Sequence, residues 1–147
     1  MKKTRLFLVA LMCMVFQSVT CFADDRIIPV EQLPAAAKAF VQQHFPKATI
    51  SYATKDREFG GAKYEARLAD GTEIDFDKKG NWDKVDCKRQ AVPAALVPAA
   101  IAQYVKTNHP DAIITKIDKE RYGFEIELSN GLDLKFNKGG QLFAIDD

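Results

Sequence analysis

All six prolines of the chain fall into three pairs sixty-four residues apart: Pro29 with Pro93, Pro34 with Pro98, and Pro46 with Pro110. Farther along, the turn glycines pair at sixty, Gly71 with Gly131 and Gly80 with Gly140. Proline locks φ and glycine opens positive φ, so a match of these two residue types at a fixed offset is a match of backbone turns. The chain therefore reads as one supersecondary unit written twice, over residues 28–86 and 92–146. The change of offset gives the first copy four extra residues, which are expected in the loop at 56–62 around Gly60 and Gly61.

The stretch before the first copy has a different character. Lys2, Lys3 and Arg5 precede an apolar run at residues 6–16, and Cys21-Phe22-Ala23 has the small-x-small form of a cleavage site. The run is shorter than the ~20 residues of a spanning helix, so residues 1–23 are expected to be an export signal and residues 24–147 the mature domain. The expected location is periplasmic or secreted. A lipid anchor through Cys21 is the alternative, and Thr20 just before it is an awkward residue for that. Removal of the signal takes Cys13 and Cys21 with it and leaves Cys87 alone, so the fold must stand on its apolar core rather than on an internal disulfide. It also leaves 18 Lys and Arg against 20 Asp and Glu, a balance that attracts neither nucleic acid nor an anionic membrane. No membrane span is expected after signal removal, and a monomer is.

Each copy opens with a helical stripe. Leu33, Ala37, Phe40, Val41 and Phe45 lie on one helix face, and Val97, Ile101, Tyr104, Val105 and His109 repeat the spacing. Pro34 and Pro98 suit a first helical turn, whereas Pro46 and Pro110 stop each helix. The remainder reads as β, with four strands per copy at 49–55, 63–68, 72–77 and 82–87, then 113–119, 122–128, 132–137 and 141–146. Asp70-Gly71 and Asn130-Gly131 mark tight hairpin turns. Alternation sends Tyr64, Ala66, Leu68, Ile74 and Phe76 one way, with Phe124, Ile126, Leu128, Leu132, Leu134 and Phe136. The other face receives Lys63, Glu65, Arg67, Glu73, Asp75 and Asp77, with Glu125, Glu127, Asp133 and Lys135. In 49–55 the alternation is too weak to assign faces. The expected fold is α+β: a tandem repeat of helix plus four-stranded antiparallel sheet, both helices on one face of a continuous sheet of up to eight strands, the other face in water.

Chemical motifs are scarce. Asp75-Phe76-Asp77 begins like a calcium loop, but Lys79 takes the fifth position and no closing glutamate follows, so a hairpin with solvated charges accounts for it. His44 and His109 have no zinc-ligand spacing. Cys87 has no histidine near it in sequence, and no nucleophile elbow, Walker loop or dinucleotide fingerprint is present. No enzyme activity, catalytic residue, metal or cofactor is expected. Trp82, the single tryptophan, lies an odd number of positions from Val85. In a regular strand one of the two must face the charged side; a bulge would turn Trp82 inward instead.

Leu33-Pro34 leading to Phe45-Pro46, then Tyr64-Glu65, the run from Asp70-Gly71 through Asp77, and Gly80-Asn81-Trp82 together resemble the PepSY-like family of exported bacterial proteins, which is similar to the β-lactamase inhibitory protein. The first copy matches better than the second, which has Gly140-Gln141-Leu142 at the last turn. The resemblance implies a concave sheet surface able to hold a protein target. Two functions follow. The first is a non-catalytic exported binding module, with inhibition as one effect of holding its target, that holds an unidentified protein or peptide on the open sheet face through Trp82, Glu65, Arg67, Glu73, Asp75, Glu125, Glu127 and Lys135. The alternative is a periplasmic small-molecule or cation sensor using Glu73, Asp75, Glu125, Glu127 and Asp133.

Overall fold

The computed structural model describes residues 26–147 except Phe59 and Gly60, so the expected signal segment and Cys21 lie outside the described residues. Nine strands form one sheet in sequential order, every neighbouring pair antiparallel. They are β1 (Arg26–Ile28), β2 (Ile50–Glu58), β3 (Gly61–Leu68), β4 (Glu73–Phe76), β5 (Trp82–Asp86), β6 (Ile114–Glu120), β7 (Gly123–Leu128), β8 (Asp133–Asn137) and β9 (Leu142–Asp146). Helix α1 (Ala35–His44) precedes β2, and α2 (Ala99–Asn108) precedes β6. The chain is thus α+β with one long sheet, of nine strands rather than the expected eight. The additional strand is β1, whose Ile28 pairs with Ala53; three residues are too few for periodicity to mark.

Both helices are ten residues long and hold their place through burial rather than propensity. Leu33, Ala37 and Val41 are buried below α1, as are Ile101 and Val105 below α2. Burying each of the larger apolar side chains stabilises by about 1.5–3 kcal/mol. Phe40 meets Phe76 edge-to-face at 5.7 Å between ring centres, and Tyr104 meets Phe136 at 5.4 Å. Pro34 and Pro98 are the N-cap residues, one position before the expected first turn, and each helix ends just ahead of Pro46 or Pro110. The alanines that open the helices leave room for two turns. A Cβ on Gly80 would stand 2.8 Å from the Pro34 Cβ, and one on Gly140 would stand 2.7 Å from the Ala100 Cβ.

The expected alternation holds in β3, β4, β7 and β8: Ala66, Leu68, Ile74, Phe76, Ile126, Leu128, Leu134 and Phe136 are buried against the helices. Two kinds of irregularity escaped it. Register shifts at Ile50/Tyr52 and at Ile114/Lys116 interrupt β2 and β6, which explains the unreadable faces of 49–55. A second pair of shifts lies between β4 and β5 and between β8 and β9. The four residues expected to enlarge a loop at 56–62 lengthen a hairpin instead. The β2–β3 ladder continues through Arg57↔Ala62 and Glu58↔Gly61, whereas β6–β7 ends at Glu120↔Gly123.

Candidate functional site: the open face of the sheet

The register lines up the side chains of the helix-free face into two continuous rows. One runs Ile27, Thr54, Glu65, Asp75, Lys84, Asp118, Glu125, Lys135, Ala144. The other runs Tyr52, Arg67, Glu73, Asp86, Lys116, Glu127, Asp133, Asp146. Together they carry nine carboxylates and four cations. Like charges sit directly opposite at Glu65–Asp75, Asp118–Glu125, Glu73–Asp86, Glu127–Asp133 and Asp133–Asp146, an arrangement that destabilises a sheet.

The cations partly offset this. Arg67 bridges to Glu73 and lies 3.5 Å from Glu65, with its guanidinium 5.8 Å from the Tyr52 ring centre. Lys84 pairs with Asp75 at 3.4 Å, Lys116 with Glu127 at 3.9 Å, and Lys135 with Asp146. Lys88, the one described non-glycine residue at positive φ, reaches both Asp86 (2.7 Å) and Glu73 (3.0 Å). The imbalance remains visible in the carboxyls. Burial, then the Asp75 and Glu73 charges, pushes Glu65 above its ordinary range; burial and Glu120 do the same to Asp118. At Asp86 burial acts in the same direction, but the hydrogen bonds from Lys88 outweigh it and hold the group low. Tyr122 is pushed up to about 12 by burial and by the hydrogen bond it donates to Glu125 at 3.0 Å.

Of the residues expected to bind, Glu65, Arg67, Glu73, Asp75, Glu125, Glu127 and Lys135 share this face. Trp82 does not. It pairs with Phe76 across the register shift at Asp75/Phe76, so the strand accommodates both Trp82 and Val85 on the helix side. There Trp82 is half-buried 6.0 Å from the Phe40 ring, while Lys119 covers it with its ammonium 3.6 Å from the ring centre and donates to the Trp82 carbonyl at 3.0 Å. Trp82 thus closes the core instead of standing among Glu65, Arg67, Glu73 and Asp75. The face also holds residues that sequence reasoning did not select: Lys84, Asp86, Lys116, Asp118, Asp146 and Tyr52. The first two were legible from Val85 between them, whereas Lys116 and Asp118 follow a register shift that breaks the count.

Asp77 accepts hydrogen bonds from the Lys79 and Asn81 amides and from the Asn81 side chain, closing the turn that resembles a calcium loop. Asn137 receives the Gly139 and Gln141 amides in the same way. His44 lies tilted against Phe40 and His109 against Tyr104 at the helix ends. Cys87 is buried, and that burial pushes its thiol up to about 11, away from the thiolate form at neutral pH. Among the described residues no three His, Cys, Asp or Glu side chains converge on a common metal position, and no helix is long and apolar enough to cross a membrane. Among the described residues, a depression opens at the C-terminal end of each helix, of about 360 Å³ beside Phe45, Pro46 and Asp70 and of about 220 Å³ beside His109, Pro110 and Asn130.

Solved structures share this architecture. A protein from Bacteroides thetaiotaomicron, described as a "putative calcium-regulated periplasmic protein", is 43% identical, with a TM-score of 0.80 over 84% of this chain and 98% of that one. A "putative periplasmic protein from DUF2874 family" from Bacteroides vulgatus is 40% identical, with a TM-score of 0.79 over the same shares. A further Bacteroides vulgatus protein, described as periplasmic and of unknown function, is 33% identical, with a TM-score of 0.80 over 84% of this chain and all of that one. No curated protein matches the chain. The family described as "Putative beta-lactamase-inhibitor-like, PepSY-like" matches residues 62–144. With that match and relatives at this identity along nearly their whole length, the chain belongs to the PepSY-like, β-lactamase-inhibitor-like family.

Proposed function

We propose that the chain is an exported, periplasmic, non-catalytic binding module, made of two copies of one helix-plus-sheet unit, that holds a protein or peptide on the open sheet face. The observation that carries this reading is the pair of registered rows with nine carboxylates against four cations. A surface that keeps like charges opposed at a cost to its own stability is suited to a basic partner, which would relieve that repulsion on docking. Size supports it as well. Nine strands at ~4.8 Å spacing, about 17–20 Å tall, present roughly 700 Å², close to the ~800 Å² per partner of a standard interface.

Affinity capture from periplasmic extract tests the reading, with wild type compared against Glu125→Lys/Glu127→Lys. The expected result is a basic partner retained by wild type at low salt, lost from the charge-reversed variant and released as ionic strength rises. Equal recovery by both proteins, or no specific recovery, would count against it.

The description of the Bacteroides thetaiotaomicron relative as calcium-regulated favours a second reading, a cation sensor using Glu73, Asp75, Glu125, Glu127 and Asp133. A cation held only by the folded form must raise the melting temperature. Titration with millimolar calcium is expected to shift it by several degrees if this reading holds, and to leave it unmoved otherwise.

A further inference from the structure

β9 stands to β8 as β5 stands to β4. Phe136 pairs with Leu142 as Phe76 pairs with Trp82, and Leu134 pairs with Ile145 as Ile74 pairs with Val85. The outer edges differ. β5 is covered by β6, with Ile117 against Val85 and Lys116 against Asp86, and Val85 is fully buried. Among the described residues nothing pairs with the outer edge of β9, where Ile145 is 49% and Phe143 55% exposed. The Cys87 amide donates to the Thr115 carbonyl at 2.8 Å. Hydrogen-bonded pairs recur at every second residue of an antiparallel ladder, so Val85 directs its N–H and C=O toward β6. At the matching position, the Ile145 N–H and C=O point out of the sheet.

We infer that the outer edge of β9 is a docking strand for an extended partner segment carrying a basic residue next to an apolar one, which joins the sheet as an antiparallel tenth strand. The molecule itself shows the complement, because β6 fills the matching edge of β5 with an isoleucine on the helix side and a lysine facing Asp86. At β9 the apolar residue would cover Ile145, and the basic one would face Asp146, beside Asp133. The exposed Tyr122–Phe143 pair, 5.3 Å apart edge-to-face, flanks the same edge. Main-chain bonds would supply affinity and the alternating side chains selectivity. A second copy fits less well, since it offers no cation to Asp146 and sets one acidic face beside another. The inference rests on the reading of the protein as a binding module but places the contact elsewhere than on the open face.

The probe is a synthetic peptide with the sequence of β6 (Ile114–Glu120), added to the labelled full-length protein and followed by amide chemical shifts. The expected result is fast hydrogen exchange at Ile145 in the free protein, then saturable shifts confined to β9 and its neighbours. Ile145→Pro removes the outward donor, and Ile145→Lys keeps it while removing the apolar contact; each is expected to weaken binding at least tenfold. Absence of saturable shifts at millimolar peptide overturns the inference, as does protection of Ile145 in the free protein. Loss of binding in Glu125→Lys/Glu127→Lys with none in the Ile145 variants also overturns it, while leaving the open-face reading intact.

Discussion

Trp82 shows how much one extra residue in a strand can decide. Strict alternation offers only two outcomes, Trp82 inside or Val85 inside, yet the register shift at Asp75/Phe76 puts both inside. A substitution at Trp82 therefore acts on stability before it acts on binding. Trp82→Ala is expected to cost about 2–3 kcal/mol in urea unfolding, somewhat below the roughly 3–5 of a fully buried ring, while partner capture by the open face persists under native conditions. Lys119→Ala, which uncovers the ring, is expected to cost about 0.5–1 kcal/mol and to shift tryptophan emission. Glycines give a sharper contrast. Gly123 has φ +151°, and a Cβ there would stand 2.2 Å from the Phe136 carbonyl oxygen, so Gly123→Ala forces the β7 and β8 backbones apart. Gly131 has φ +88° with nothing within 4 Å, so Gly131→Ala carries only the left-handed penalty of about 1–2 kcal/mol. Chemical denaturation of the two variants is expected to rank them in that order, with Gly123→Ala losing roughly 3 kcal/mol or more. Sequence periodicity marks both glycines as turn or ladder positions, but it does not reveal what their missing Cβ atoms would strike.

At the scale of the element, β3, β4, β7 and β8 were legible because their alternation is uninterrupted, and seven of the eight expected binding residues stand on the face assigned to them. β2 and β6 were not, because a register shift in each breaks the count just where the two rows of charge cross from one strand to the next. The rows also predict a pH dependence with two opposite limbs. Glu65 and Asp118 have folded-state affinities for protons above the ordinary range, so the native protein takes up their protons before the unfolded chain does. Their effect on stability therefore becomes more favourable as pH falls from neutral toward the ordinary carboxylate range. Asp86 is held below that range by Lys88, so its contribution is present above it and lost as pH falls through it and lower. Stability is thus expected to peak in mildly acidic solution. Asp118→Asn is expected to gain a few tenths of a kcal/mol at pH 7, where Asp118 opposes Glu125, and to gain nothing near pH 3. Urea midpoints of variant and wild type across that range check both limbs.

For the whole molecule, the central question is whether the two halves are independent bodies or one. The proline and glycine register leads one to expect matching halves and says nothing of how they would join. The joint is the β5–β6 pair, where Val85 meets Ile117, both without solvent exposure, inside a single apolar cluster that reaches from Leu33 to Phe136. Lys119 from the second half also covers Trp82 from the first. Separating the halves would uncover a strand edge together with Val85, Cys87 and Val92, which no local rearrangement can rebury. The sheet is therefore expected to unfold as one cooperative unit. Trp82 fluorescence, which reports the joint, and far-UV circular dichroism, which reports both halves, should trace the same urea transition. Cys87 supplies an independent clock, because its thiol is buried and pushed up to about 11. Its reaction with a thiol reagent at pH 8 is expected to proceed only through global opening, at a rate that Glu125→Lys/Glu127→Lys changes only as far as it changes stability. A first dichroism transition that leaves Trp82 emission unaltered, or rapid labelling of Cys87 itself under native conditions, would show instead that the halves come apart before either unfolds.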